Sequence, residues 1–144
     1  MYKVVKCFEF EAAHQLINTH TDKCKRIHGH TYKLEVELSS QELNENGMVL
    51  DFTLMSQQIE ELVDDFDHVL IVKGNEDQIL MMGEEFLYDT DKRQNHTIIY
   101  LKEQPTAEYM CRLFFDYLSA FNHFPITRVR LWETSNSYAE YIKD

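Results

Sequence analysis

Three histidines in this chain are spaced so that their rings can meet. His28-Gly29-His30 opens a stretch, residues 28–38, in which apolar and polar residues alternate. Residues i and i+2 of a strand share a face. His28 and His30 therefore project with Tyr32, Leu34, Val36 and Leu38, while Gly29, Thr31, Lys33, Glu35 and Glu37 make a solvent-like face. Residues 2–14 alternate as well. Their even face runs Tyr2, Val4, Lys6, Phe8, Phe10, Ala12 and ends in His14. If the two strands pair, three imidazoles gather at one end of a sheet. Imidazole holds zinc at ~2.0–2.1 Å, and three protein ligands with an open fourth position define a catalytic zinc site. Taken singly, each ring reads as an ordinary structural or solvated histidine; convergence by strand parity is what raises the metal reading. An H-x-H pair also occurs in cupin-type barrels, but the two strong helical patterns described below oppose a barrel.

Cys24 lies four residues before His28, inside Lys23-Cys24-Lys25-Arg26. Neighbouring cations favour thiolate over thiol. The same cations form a dense basic patch in an acidic chain, which is where a phosphate-bearing substrate would sit. Two other readings stay open: a solvated basic loop, or Cys24 as a fourth ligand closing a structural zinc site. Cys7, in an apolar strand, and Cys111, in an apolar helix, read as small core residues.

The elements that must position these groups follow from pattern. The chain has 144 residues, the size of one domain, 1–144. Hydrophobic residues make up 44% and charged residues 27%, an ordinary globular balance. The net charge of −11 disfavours nucleic acid and anionic membrane as partners. No apolar run reaches the ~18 residues of a membrane span, and the start of the chain does not read as a signal peptide. Three cysteines, an odd number, argue for a reducing, cytoplasmic setting rather than a disulfide framework.

Residues 15–27 read as a polar loop. Asn44 to Gly47 signals a turn, with Met48–Phe52 as a short third strand paired in a hairpin with the second. Thr53 is the expected cap of a helix running to Phe66, with the stripe Met55, Ile59, Leu62, Val63 and Phe66. Residues 73–96 are weakly patterned and read as an elaborated loop with a short helical piece near Ile79–Phe86. Residues 97–101 read as a buried strand. Pro105 opens a second helix with the stripe Met110, Leu113, Phe114, Tyr117, Leu118 and Phe121, which Pro125 ends. Residues 127–134 and 138–142 complete the strands. Glu133 shares the face of Val129 and Leu131, where a carboxylate is costly unless partnered. Strand pairs with two amphipathic helices predict an α+β fold: a mostly antiparallel sheet with both helices on one face.

These residues fall in an order that resembles one family. Phe10-Glu11-Ala12-Ala13-His14 followed by Cys24-x-x-x-His28-Gly29-His30 resembles the zinc motifs of the 6-pyruvoyl-tetrahydropterin synthase family. Gly47 and Asp51 match its G-x-V-x-D-F segment, and Asp67-His68 its D-H pair. Pro105-Thr106-Ala107-Glu108 matches its P-T-x-E, and Glu133-Thr134 with Tyr138–Tyr141 its C-terminal E-T…Y. The short Cys-to-His spacer, followed by Thr31-Tyr32, is similar to the branch of 6-carboxy-5,6,7,8-tetrahydropterin synthases of the queuosine (7-deazaguanine) pathway. The loop 73–96 is longer than in a compact member.

The resemblance implies a T-fold: a four-stranded antiparallel sheet with two helices on one face, assembling as a homo-oligomer into a barrel with sites between subunits. It implies a lyase acting on 7,8-dihydroneopterin triphosphate, with Zn²⁺ on His14, His28 and His30. By the same resemblance Cys24 moves protons, Asp67 and His68 form a relay with it, and Glu133 anchors the pterin ring and joins the catalytic proton relay. Thr106 and Glu108 join that pocket. For Thr106 and Glu108 plain helix capping is the structural alternative, and for Asp67-His68 a favourable helix C-terminus. Lys25 and Arg26 are expected at the triphosphate. Whether Mg²⁺ assists there is left open. The alternatives in function are the pyruvoyl-forming reaction on the same substrate and a non-enzymatic zinc module.

Overall fold

The computed structural model describes residues 1–17, 21–83, 85–121 and 123–144. Residues 18–20 of the expected loop and Glu84 of the 73–96 segment lie outside the described residues, as does the side chain of Phe121.

Strand β1 (Tyr2–His14) and strand β2 (His28–Ser40) form a long antiparallel pair in the alternating phase expected. Helix α1 (Phe52–Phe66) follows, then β3 (Val69–Lys73), the short helix α2 (Glu76–Met81), β4 (Phe86–Asp91), β5 (His96–Leu101), α3 (Ala107–Phe121), β6 (Ile126–Thr134) and β7 (Ser137–Ile142). One sheet takes all seven strands in the order β4-β5-β3-β1-β2-β6-β7. The four-stranded antiparallel sheet is therefore corrected: β1-β2-β6-β7 is that sheet, and three further strands extend it. The extension is mixed, because β1 runs parallel to β3 and β3 parallel to β5.

Both long helices cover one face. Phe10 from β1 meets Phe66 of α1 and Phe114 of α3 with ring centroids 6.5 and 6.2 Å apart, and the rings of Phe66 and Phe114 pack edge-on at 4.8 Å. Tyr32, Leu34, Val36 and Leu38 of β2 and Val129 and Leu131 of β6 are buried in the same layer. Burying a large apolar side chain is worth ~1.5–3 kcal/mol, so this layer dominates the cohesion of the fold.

Two local expectations change. Residues 48–51 form no strand. Gly47 takes φ +75° in the turn, as a residue without Cβ can. The chain then enters α1 directly, capped by Asp51 rather than Thr53: the Asp51 carboxylate accepts the backbone N–H groups of Thr53 (2.7 Å) and Leu54 (3.3 Å). Apart from Glu84, the 73–96 segment forms a helix and a strand rather than a loop: its helical piece is Glu76–Met81, earlier than the expected Ile79–Phe86, which instead leads into β4, and α2 starts with a capping box between Asn75 and Gln78. Among the described residues no helix is long and apolar enough to cross a membrane.

Candidate active site

The β1–β2 register sets the geometry of the three imidazoles. His14 lies opposite His28, and Ala12 opposite His30. All three rings emerge on the helix-covered face, with His14 fully buried. The Nε2 atom of His14 is 3.0 Å from Nε2 of His28 and 3.1 Å from Nε2 of His30. The rings stand steeply to one another at centroid separations of 4.5 to 4.9 Å. Two nitrogens bound tetrahedrally at ~2.0–2.1 Å sit about 3.3 Å apart. The three imidazoles thus fit a zinc ion after displacements of a few tenths of an ångström.

Backbone carbonyls orient two of the rings. A carbonyl only accepts, so Nδ1–H of His14 donates to Pro105 (2.8 Å) and Nδ1–H of His28 donates to Arg26 (2.8 Å). Each bond leaves the Nε2 lone pair free for metal, the usual outer-sphere arrangement for a ligating histidine. The Tyr32 hydroxyl lies 3.1 Å from the same Nδ1 of His14. Burial, and then the neighbouring rings of His30 and His28, push His14 down to about 4 against the opposing pull of the Pro105 carbonyl. Burial and His28 lower His30 likewise. Neutral imidazoles are the form a metal takes up.

Among the described residues this cluster comprises three imidazoles and no thiol. Cys24 is half-buried, in a turn where its N–H donates to Thr21 and its carbonyl accepts from Leu16. That turn is stapled by Gln15, whose side-chain amide donates to Lys25 (2.9 Å), and by Gln104, which accepts from the Ile17 N–H (3.1 Å). Lys25 makes an exposed ion pair with Asp22 at 3.6 Å, in the loop that leads into His28. An all-nitrogen donor set gives no support to magnesium, which prefers oxygen.

Next to the cluster lies a small cavity of about 190 Å³, lined by Leu16, Thr106, Glu108, Glu133, Tyr138 and Ala139 among others. Glu133 sits where the β6–β7 register shifts, between Trp132 and Thr134. Burial and then Glu108 push its carboxyl up, while His28 pulls the other way. Burial and then the Glu133 carboxylate also push the Tyr32 phenol up. So Glu133 stands within electrostatic reach of both the histidine cluster, through His28, and Glu108. Thr106 accepts the Tyr109 N–H (3.2 Å), so it also caps α3.

Asp67 and His68 form the pair expected, with Nδ1 of His68 3.0 Å from Asp67. They are clipped to β1: the Glu11 N–H donates to Asp67 (2.8 Å), and the His68 N–H donates back to the Glu11 carbonyl. The Glu11 N–H, first among several contacts, holds the Asp67 carboxyl below the usual carboxylate range. His68 has φ +59° and a largely exposed ring. It lines an open depression with His30, Thr31, Gly29 and Glu11. Among the described residues no hydrogen bond joins this pair to Cys24. Sequence reasoning did not identify the Pro105 carbonyl, Tyr32, Gln15 or Gln104. The first is a backbone group, which no residue type announces, and the two amides act through hydrogen bonds to backbone groups that only the folded chain brings near.

A seven-stranded sheet with two helices on one face and a triple-histidine cluster at a strand-pair end defines a class, and the comparisons agree. Residues 3–144 match the family described as 6-pyruvoyl tetrahydropterin synthase. A Rickettsia bellii protein named 6-carboxy-5,6,7,8-tetrahydropterin synthase is 34% identical over 145 residues, covering 97% of this chain and 99% of its own. A Haemophilus influenzae protein of the same name is 33% identical, covering 98% and 99%. In fold, the Caenorhabditis elegans 6-pyruvoyl tetrahydropterin synthase matches with a TM-score of 0.70 at 20% identity, over 99% of this chain and 96% of its own. The chain belongs to the 6-pyruvoyl tetrahydropterin synthase family.

Proposed function

We propose that this chain is a zinc-dependent lyase that converts 7,8-dihydroneopterin triphosphate and water to 6-carboxy-5,6,7,8-tetrahydropterin, acetaldehyde and triphosphate, a step toward 7-deazaguanines such as queuosine. The observation that carries this reading is the convergence of three Nε2 atoms beside a cavity holding a half-buried carboxylate. Relatives bearing the carboxy-forming name over nearly the whole chain favour it over the pyruvoyl-forming branch.

His14, His28 and His30 would hold the ion. Zinc bound there supplies a Lewis acid that acidifies the hydroxyls of the substrate side chain and stabilises developing negative charge. Cys24, flanked by Lys23, Lys25 and Arg26, takes and returns protons at the side-chain carbons. Asp67 holds Nδ1 of His68, which leaves the other ring nitrogen to exchange a proton. Glu133 accepts N3–H and the 2-amino group of the pterin in two parallel hydrogen bonds. Thr106 and Glu108 line that pocket, and Lys25 and Arg26 meet the triphosphate. The exposure of His68 fits a site completed by a second subunit in a barrel-shaped homo-oligomer. Among the described residues, 2–11 of β1 have no partner strand on the β3 side, and β7 is one of the two sheet edges, so these two stretches of backbone offer places for a neighbouring chain.

The test is incubation of purified, zinc-loaded protein with 7,8-dihydroneopterin triphosphate. Acetaldehyde and the 6-carboxy product are expected in equal amounts. A pyruvoyl-tetrahydropterin as the sole product moves the chain to the other branch, and an unchanged substrate overturns the reading.

A further inference from the structure

The β4–β5 hairpin, unanticipated in the sequence, places its tip beside His68. His68, Thr90, Asp91, Lys92, Asn95, His96 and Thr97 line one depression of about 310 Å³. His68 also lines the depression beside Glu11, Gly29 and Thr31, on the solvent-like face of the β1–β2 pair, so the two hollows adjoin at that residue. The donors at the tip are a lysine ammonium, two imidazoles, an amide and the hydroxyls of Thr90 and Thr97, which lie 3.2 Å apart. The one carboxylate in the lining, Asp91, is turned to the chain itself, accepting the N–H groups of Arg93 (2.9 Å) and Gln94 (3.3 Å).

Charge at the tip is free to meet an anion. Half of the 14 cations in this acidic chain, namely Lys3, Lys25, Lys33, Lys73, Arg112, Arg128 and Arg130, lie within 4.0 Å of a carboxylate. Among the described residues Lys92 and Arg93 make no such pair. A net charge of −11 repels an anionic ligand, so cations left without counter-charges beside a hollow are where one can settle. The hairpin turn is itself fixed, with Asn95 at φ +54° and Asp91 bracing the next two amides.

We propose that the β4–β5 tip and His68 form a phosphate seat, with Lys92, Asn95, His96 and the Thr90 and Thr97 hydroxyls as donors to phosphoryl oxygens. It is separate from the Lys25–Arg26 patch. The inference rests on the reading above insofar as the ligand is a pterin triphosphate: the seat takes either the end of that substrate's polyphosphate tail or free triphosphate after release.

The experiment titrates inorganic tripolyphosphate into the zinc-loaded protein by calorimetry, with Lys92→Glu and His96→Gln beside wild type. Lys92 is in the exposed turn and His96 is the exposed first residue of β5, and circular dichroism checks that the fold is kept. Wild type is expected to bind with an affinity that falls as salt rises, and Lys92→Glu to lose about tenfold or more, the scale of one charge-assisted contact. Equal binding by wild type and both variants overturns the seat. Steady-state kinetics then separate the two sources. A raised KM for the triphosphate substrate at unchanged kcat assigns the seat to bound substrate. Weakened inhibition by tripolyphosphate at unchanged KM assigns it to the released product. If wild type binds tripolyphosphate through Lys92 yet turns over no pterin, the functional reading fails and the seat stands. If turnover is normal and tripolyphosphate binding ignores Lys92, the seat fails alone.

Discussion

Nδ1 of His14 and the carbonyl of Pro105 are hydrogen-bonded at 2.8 Å across 91 residues of sequence. This bond turns the Nε2 of a buried ring toward His28 and His30 and joins the end of β1 to the turn that starts α3. Removing the ring should therefore empty the metal site. For His14→Ala, zinc measured by atomic emission is expected to fall below about a tenth of an equivalent, since a structural or catalytic zinc needs each of its few ligands.

Cys24 lies outside the imidazole cluster, so its loss should separate metal binding from chemistry. Cys24→Ala is expected to keep about one zinc per chain and to lose turnover by at least about 100-fold, the scale of a missing general acid–base group. Zinc-edge absorption of wild type should show nitrogen and oxygen neighbours only. A sulfur shell would instead point to a closed site.

Glu133 should trade stability against binding. Burial and Glu108 raise its carboxyl, so the ionised form is disfavoured in the folded chain. A raised folded pKa contributes stability below the unfolded value and loses it as pH rises through the folded one. Glu133→Gln is therefore expected to raise Tm at pH 7 in a thermal melt. The same change replaces one acceptor with a donor facing the pterin, and kcat/KM should drop about 10- to 100-fold, matching ~1.5–3 kcal/mol for a charged hydrogen bond.

Asp67 runs the other way. Its carboxyl is lowered chiefly by the Glu11 N–H, so its contribution is present above the ordinary carboxylate pKa and fades as pH falls below it. Asp67→Asn should cost about 1 kcal/mol at pH 7, below the full charged-bond value because the side chain is partly exposed. Chemical denaturation at stepped pH should show that gap closing below about pH 4.

The cap of α1 offers a clean contrast. Asp51→Ala should destabilise by about 1 kcal/mol and Thr53→Ala by less than about 0.5 kcal/mol, read from urea midpoints. Asp51 accepts two helix N–H groups, whereas Thr53 already lies inside the helix.

The parts of the fold legible in the sequence were those with a local signal. Alternation in β1 and β2 placed His14, His28 and His30 on one face before any pairing was known, and the stripes of α1 and α3 gave both helices. Val69–Lys73 is a run of four apolar residues ending in a lysine, whose partners, β1 and β5, are parallel and distant, so nothing nearby marked it as a strand. Phe86–Asp91 is an edge strand with three exposed polar residues or tyrosine in a row, and such strands lose the alternation that betrays buried ones. The Asn44–Gly47 turn was read correctly, but Asp51 is equally good at ending a hairpin or capping a helix; the helix took it. In the candidate site, side-chain types marked the three histidines and Glu133 that the structure brings together, while the carbonyls that aim the rings carried no signature at all.

The link between His14 and Pro105 also bears on how the chain matures. A nascent polypeptide that has completed only its first hairpin owns all three ligands but not the carbonyl that fixes the tautomer of one of them. Full-strength capture of the ion must wait until the segment ahead of α3 has been synthesised and docked. Zinc uptake during refolding would thus mark closure of the helical layer, and a chain truncated before Pro105 would hold the metal poorly despite keeping every ligand.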